Sequence, residues 1–180
     1  MGALLDAMGA VVIGSIVLIT IMTSIMNFQQ LNYNILTLTN LTDISEKIYK
    51  VFDQYYMANV EDVVLATPRH FSFHAYLDGT QLDLIEIIID NQKEGIGYPL
   101  KVKITEPDSS VRWDAGSYII TDTLVFTYYD RQMIETTAPD SVANLKMELT
   151  FVSKGWKEDE SETIRYFMTI WKSLKKIYLK

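Results

Sequence analysis

Two histidines, His70 and His74, are the first residues to weigh for chemistry, because imidazole nitrogens bind metals and move protons near neutral pH. Four residues apart in an alternating stretch, they point to one face of a strand. A metal centre needs further ligands at comparable spacing, and none is identifiable, so the pair reads as two ordinary strand residues. The acidic run Glu158-Asp-Glu160 with Glu162 offers the hard oxygens that calcium takes, but not the glycine and aspartate spacing of a calcium loop. It reads as a solvated loop. The chain has no cysteine, which removes thiol nucleophiles, thiolate metal sites and disulfides together. There is no phosphate-cradling glycine loop, and no Ser/His/Asp or paired-carboxylate constellation can be singled out. The tyrosines, Tyr55-Tyr56 and Tyr128-Tyr129 among them, read as core and sheet-face residues rather than as stacking groups between chains. No catalytic, cofactor-binding or metal-binding residue is assigned, no cofactor is expected, and an enzyme is not expected.

One charge stands out by its isolation. Asp6 precedes the stretch Met8–Met26, which carries no charge, and no Lys or Arg appears before Lys47. About 19 apolar residues are enough for a helix to cross a bilayer core. A water-soluble domain would have to enclose such a helix on all sides. Membrane insertion, helix–helix packing, or each at a different time is therefore expected. Within the run Ala3 pairs with Ala7, and Ala10 with Gly14, at the small-xxx-small spacing that lets another helix come close. Thr20, Thr23 and Ser24 are placed to bond back to carbonyls one turn earlier. The first residues lack the basic region of a secretory signal peptide, and the missing basic flanks leave little orientation signal.

All sixteen basic residues and all but one of the 23 acidic ones lie from Asp43 onward, and the chain as a whole carries a net charge of −7. An acidic balance of this kind argues against a nucleic-acid partner, which needs a basic face. It suits an exposed, soluble surface.

The elements that would position these residues fall into three segments. Residues 1–28 form the apolar helix. Residues 29–60 continue it as an amphipathic helix, with a loop around Asn27 to Gln30 as the main alternative, and in it Leu31, Ile35, Leu38, Leu41, Ile44, Ile48, Val51 or Phe52, and Tyr55 recur in steps of three and four. That stripe is expected to cover one face of a sheet, with the helix ending near Tyr56 or Val60. Residues 61–180 form a β-rich head of antiparallel strands arranged as a meander. Strands are expected within 71–77, 82–89, 100–104, 111–113, 121–129, 133–136, 145–152 and 163–170, with a hairpin turn at Asp78-Gly79 and an undecided tail after residue 173. The fold class is α+β: a long N-terminal helix packed on an antiparallel sheet.

The run Gly2-Ala-Leu-Leu-Asp6-Ala-Met-Gly-Ala-Val-Val-Ile-Gly14-Ser-Ile-Val, followed by an amphipathic half-helix and a β-rich head, resembles the type IV pilin and pseudopilin family. Members begin the mature chain with a short apolar stretch, a glutamate at the fifth place, and an unbroken hydrophobic run. Counted from Gly2, Asp6 is fifth and looks like a shorter stand-in for that glutamate; counted from Met1, it is sixth. The family's basic leader, its frequent proline within the membrane segment and its tail disulfide are not found in this sequence. The resemblance implies a structural subunit, anchored in the inner membrane and then packed with its own copies into an extracellular or periplasmic helical filament. Gly2, Asp6, Ala10 and Gly14 would then be its assembly residues. The competing expectation is a single-pass anchored protein whose β-rich head binds a ligand or partner at the membrane surface.

Overall fold

A computed structural model describes residues 2–77, 80–113, 118–121, 125–156 and 163–174, the side chains of Leu5 and Tyr118 excepted. The expected turn at Asp78-Gly79, the acidic run from Glu158 to Glu162 and the tail from Lys175 lie outside the described residues. One helix, α1 (Gly2–Lys50), contains both the apolar run and its amphipathic continuation. No proline or charge cluster interrupts it, and its hydroxyl side chains turn inward to the helix backbone. Ser15, Thr20, Thr23 and Ser24 each donate to the carbonyl four residues earlier at 2.8–2.9 Å. At Val51–Tyr56 the helix widens to π geometry, closed by the Met57 amide donating to the Phe52 carbonyl at 2.9 Å. The wider turn puts Phe52 and Tyr56, four residues apart, on the same buried face.

Nine strands follow among the described residues: β1 (Val60–Ala66), β2 (His70–Ala75), β3 (Asp83–Ile89), β4 (Tyr98–Thr105), β5 (Val111–Trp113), β6 (Tyr118–Ile120), β7 (Phe126–Tyr129), β8 (Asn144–Lys154) and β9 (Thr163–Ser173). Every pairing between them is antiparallel. β1 to β4 form the expected meander. After that the order departs from it, because β5 and β6 both pair with β4, at opposite ends of that strand. β6 then meets β8 at Ile120–Phe151, and β8 is flanked by β7 and by β9 over eleven residues. The sheet curls back on itself. The amides of Val125 and Phe126 donate to the Pro68 carbonyl, and the Tyr128 hydroxyl donates to the Thr67 carbonyl at 2.8 Å, joining β7 to the β1–β2 turn.

Alternation decides which face is dry. On β3 the residues Ile85, Ile87 and Ile89 are buried, and their partners across β4 are Ile104, Val102 and Leu100. Phe71 and Phe73 of β2 pack at 4.8 Å between ring centroids, and Phe71 reaches Tyr128 at 5.5 Å. Into this concave face α1 and the π turn that ends it insert Leu41, Ile48, Phe52 and Tyr56, all buried. Each such side chain contributes about 1.5–3 kcal/mol by leaving water.

Four expectations need correction. Leu31, Ile35 and Leu38 do not cover the sheet; they are 56%, 52% and 44% exposed, while Thr37 and Leu41 face the head. The cause is the run of three-residue steps 35–38–41–44. Each such step falls about 60° short of a full turn, so three in a row carry the stripe to the other side of the helix. At the helix end Tyr56 and not Tyr55 is buried, since the π turn changes the phase. Between 60 and 66, where the helix was expected to give way, a full strand forms, with two register shifts against β2. Finally, residues 133–136 make a turn with one isolated bridge, Tyr129–Glu135, in place of a strand. Asp130 holds that turn by accepting from the amides of Gln132 and Ile134.

Candidate functional site

The front of α1 is exposed throughout: every described side chain from Gly2 to Gln29 faces away from the rest of the chain. The helix is long and apolar enough to cross a membrane, and its apolar window is not buried at all within the chain. A helix anchored in this way at one end only must find its other contacts in lipid or in another molecule.

The four expected assembly residues all lie on this segment. Asp6 is exposed, with no hydrogen-bond or ion-pair partner among the described residues. A β-carbon added at Gly2 or Gly14 would meet nothing within 4 Å. The fold of the single chain therefore gives no reason for glycine at residue 14. Gly97 is the opposite case: a β-carbon there would fall 2.5 Å from the Ile120 carbonyl oxygen, so glycine is required where β4 meets β6. Ala10 is likewise exposed. The four residues follow one another at four-residue steps along one helix, exposed and uncovered by the rest of the chain.

The histidines share one face of β2, as their spacing predicts, but each stands beside a different carboxylate. His74 Nδ1 lies 2.8 Å from Asp62 Oδ1 of β1, and His70 Nε2 lies 3.2 Å from Glu86 Oε1 of β3. Glu86 also takes Lys103 of β4, and Lys101 donates to Asp90 at 2.8 Å. The outer face of β1 to β4 is thus a ladder of opposite charges. The Lys101 ammonium bound to Asp90 holds its carboxyl below the usual range, and Asp90 in turn raises Lys101. No group of three metal-ligating side chains occurs among the described residues. A cleft of about 580 Å³ lies between β1 and the 130–143 loop, lined in part by Asp62, Asp130 and Asp140. Asp62 and Asp130 are already engaged there, by His74 and by the loop amides.

The other half of the outer surface differs in kind. On β9, Phe167 and Trp171 are 72% and 52% exposed, and Trp171 stacks on Tyr129 of β7 at 5.4 Å with Lys146 over its ring. A strand at 163–170 was legible in the sequence; that its outward positions carry the aromatics was not, because both faces hold large apolar residues. Known proteins offer no guide to either surface: no family model, no curated protein and no solved structure matches the chain.

Proposed function

We propose that the chain is a structural subunit of a helical filament of the type IV pilus kind, anchored in the inner membrane before assembly and carried to the cell exterior by it. The observation that supports this most is the division of α1. Its rear is built into the head by Leu41, Ile48, Phe52 and Tyr56, while its front has no contact with the head at all. A helix fixed at one end and bare from Gly2 to Gln29 is suited to packing with copies of itself. An interface of the heterologous, non-closing type turns such packing into a filament. The apolar run then serves twice, first as anchor and afterwards as filament core. The head contributes an outer surface with no catalytic grouping in this reading, and no cofactor is needed.

Electron microscopy of sheared cell-surface material, with mass spectrometry of any fibres, tests this. Fibres containing this chain are expected. A chain found only in the membrane fraction, with no fibres under conditions of expression, would leave the single-pass anchored head as the account to adopt.

A further inference from the structure

Between Asn27 and Thr42 the helix is rich in Asn, Gln and Thr, yet Phe28, Leu31, Ile35 and Leu38 stay 44–63% exposed. Counted from Met8, these residues lie past the length that a bilayer core covers, so lipid tails do not shield them. They do not face the head either. At 100° per residue they are centred about 120° around the helix from Thr37, Leu41 and Ile48, which pack on the sheet. Their spacing alternates three, four and three.

That alternation continues backward without a break. Ser24, Ile21, Val17 and Gly14 follow at the same steps, and then Ala10, Ala7 and Ala3. From Ala3 to Leu38 this is a strict seven-residue repeat. A straight helix drifts about 20° per heptad from such a repeat, so the seam stays in line only when two helices coil left-handedly around each other. Ser24, the one polar residue in the seam, has its hydroxyl bonded to the Thr20 carbonyl. Gly14 falls in the seam at a place where the single chain leaves room for a β-carbon. Past Leu38 the same steps fall on the polar Thr42 and on Ser45, which is buried against the head, and there the repeat stops.

We propose that the seam is the contact with a second copy of this chain, in parallel and in register. Three observations fix the occupant. Asp6, at the start of the seam, is the single charge from Ala3 to Thr42, so identical helices meet little like-charge repulsion. Both copies would be held at one depth by the same apolar run, and sliding one past the other by a heptad would draw its run about 10 Å out of the bilayer. The seam passes without interruption from the membrane-length segment into the watery one, where the exposed Leu and Ile side chains need cover. The sheet-facing positions Asn34, Leu41 and Ile48 flank the seam on one side only, so two-fold symmetry sends the two heads to opposite sides of the pair. This pairing rests on membrane insertion of the helix and not on filament formation.

The absence of cysteine makes the test clean. In membranes holding the full chain, Leu31→Cys is expected to give a disulfide-linked dimer on mild oxidation. Leu36→Cys, equally apolar and 65% exposed but on the far side of the helix, should give at least fivefold less. Adding Ile35→Asp should remove the Leu31→Cys dimer while the thermal transition of the head stays in place. Equal cross-linking at 31 and 36, or no dimer from Leu31→Cys, overturns the pairing. Cross-linking of a mixture of Leu31→Cys and Leu38→Cys chains between unlike positions only would overturn the register. Fibre yield is scored separately: fibres without same-position cross-links leave the filament reading standing and the pair refuted, and cross-links without fibres do the reverse.

Discussion

Lys172 on the last strand reaches across to the end of α1, where its ammonium donates to Asp53 Oδ1 at 2.7 Å and to the Asp53 carbonyl at 2.9 Å. The contact sits where the helix has widened to π geometry and its carbonyls lack the usual partners. Asp53 and Lys172 are 119 residues apart in sequence, so this is one of the ties that make helix and sheet a single unit. Both side chains are mostly shielded, which keeps the pair from being screened as a surface pair is.

Lys172→Met should therefore destabilise the head by about 1 kcal/mol, with the apolar stem kept and the charge-assisted bonds lost. Chemical denaturation of the detergent-solubilised chain measures this. A change of less than about 0.3 kcal/mol would show that water replaces the ammonium without loss.

The helical phase is checked by a neighbouring pair. Ile48 is 1% exposed between α1 and the sheet, while Lys47 faces solvent. Ile48→Asp should cost about 3 kcal/mol or more, because the carboxylate would be buried without a partner. Lys47→Asp should stay within about 0.5 kcal/mol. Thermal melts that rank the two the other way would contradict the packing of α1.

How far such packing was legible in the sequence depended on whether one period or two competed. β3 and β4 could be read directly, β3 from its β-branched run and β4 from Lys101 and Lys103 alternating with Leu100, Val102 and Ile104. The rear of α1 was legible at Leu41, Ile44 and Ile48. It failed at Leu31, Ile35 and Leu38, where a second apolar stripe on another face lies in phase with the first for one turn. Apolar periodicity reports that a face is covered; it does not say by what. β6 was missed because its short pairing with β4 and β8 depends on contacts distant in sequence. Gly2, Asp6, Ala10 and Gly14 were singled out from a family resemblance and from small-residue spacing, and the fold places them on one helix without supplying a partner.

The two ends of the pH scale should act through different residues. Burial raises the Tyr128 phenol above its ordinary value of about 10, while in the unfolded chain it titrates near that value. The folded state then holds the proton more tightly, so this contribution is complete below about pH 10 and declines as pH rises further. Tyr128→Phe should lose about 1 kcal/mol at neutral pH, by stranding the Thr67 carbonyl, and should show a shallower decline between pH 10 and 11. At the acid end Asp90, lowered by Lys101, contributes above the carboxylate range and loses that contribution as pH falls below about 4. Melting temperature against pH for wild type and Tyr128→Phe decides the matter; parallel alkaline limbs would remove Tyr128 from it.

The last prediction concerns Asp6, whose carboxylate stands beside an apolar helix with no partner among the described residues. A charge at such a place is costly to bury alone, so assembly into an apolar core must supply an opposite charge or a proton. In the filament reading the partner is the α-amino group of a neighbouring copy, near Gly2 when that residue is the mature start. Aspartate is one methylene shorter than glutamate, so the amine must approach more closely or a water must bridge the two. Asp6→Ala should still insert in the membrane, because loss of the charge makes the segment more apolar. It should also keep the Leu31→Cys cross-link, since Asp6 flanks the seam only at its start, far along the helix from Leu31. Fibre yield, however, should fall at least tenfold, and Asp6→Glu should restore most of it. Membrane fractionation, cross-linking and fibre yield from the same cells separate the three steps of insertion, pairing and docking. Normal fibre yield from Asp6→Ala would take the docking role away from Asp6 while leaving the paired helices untouched.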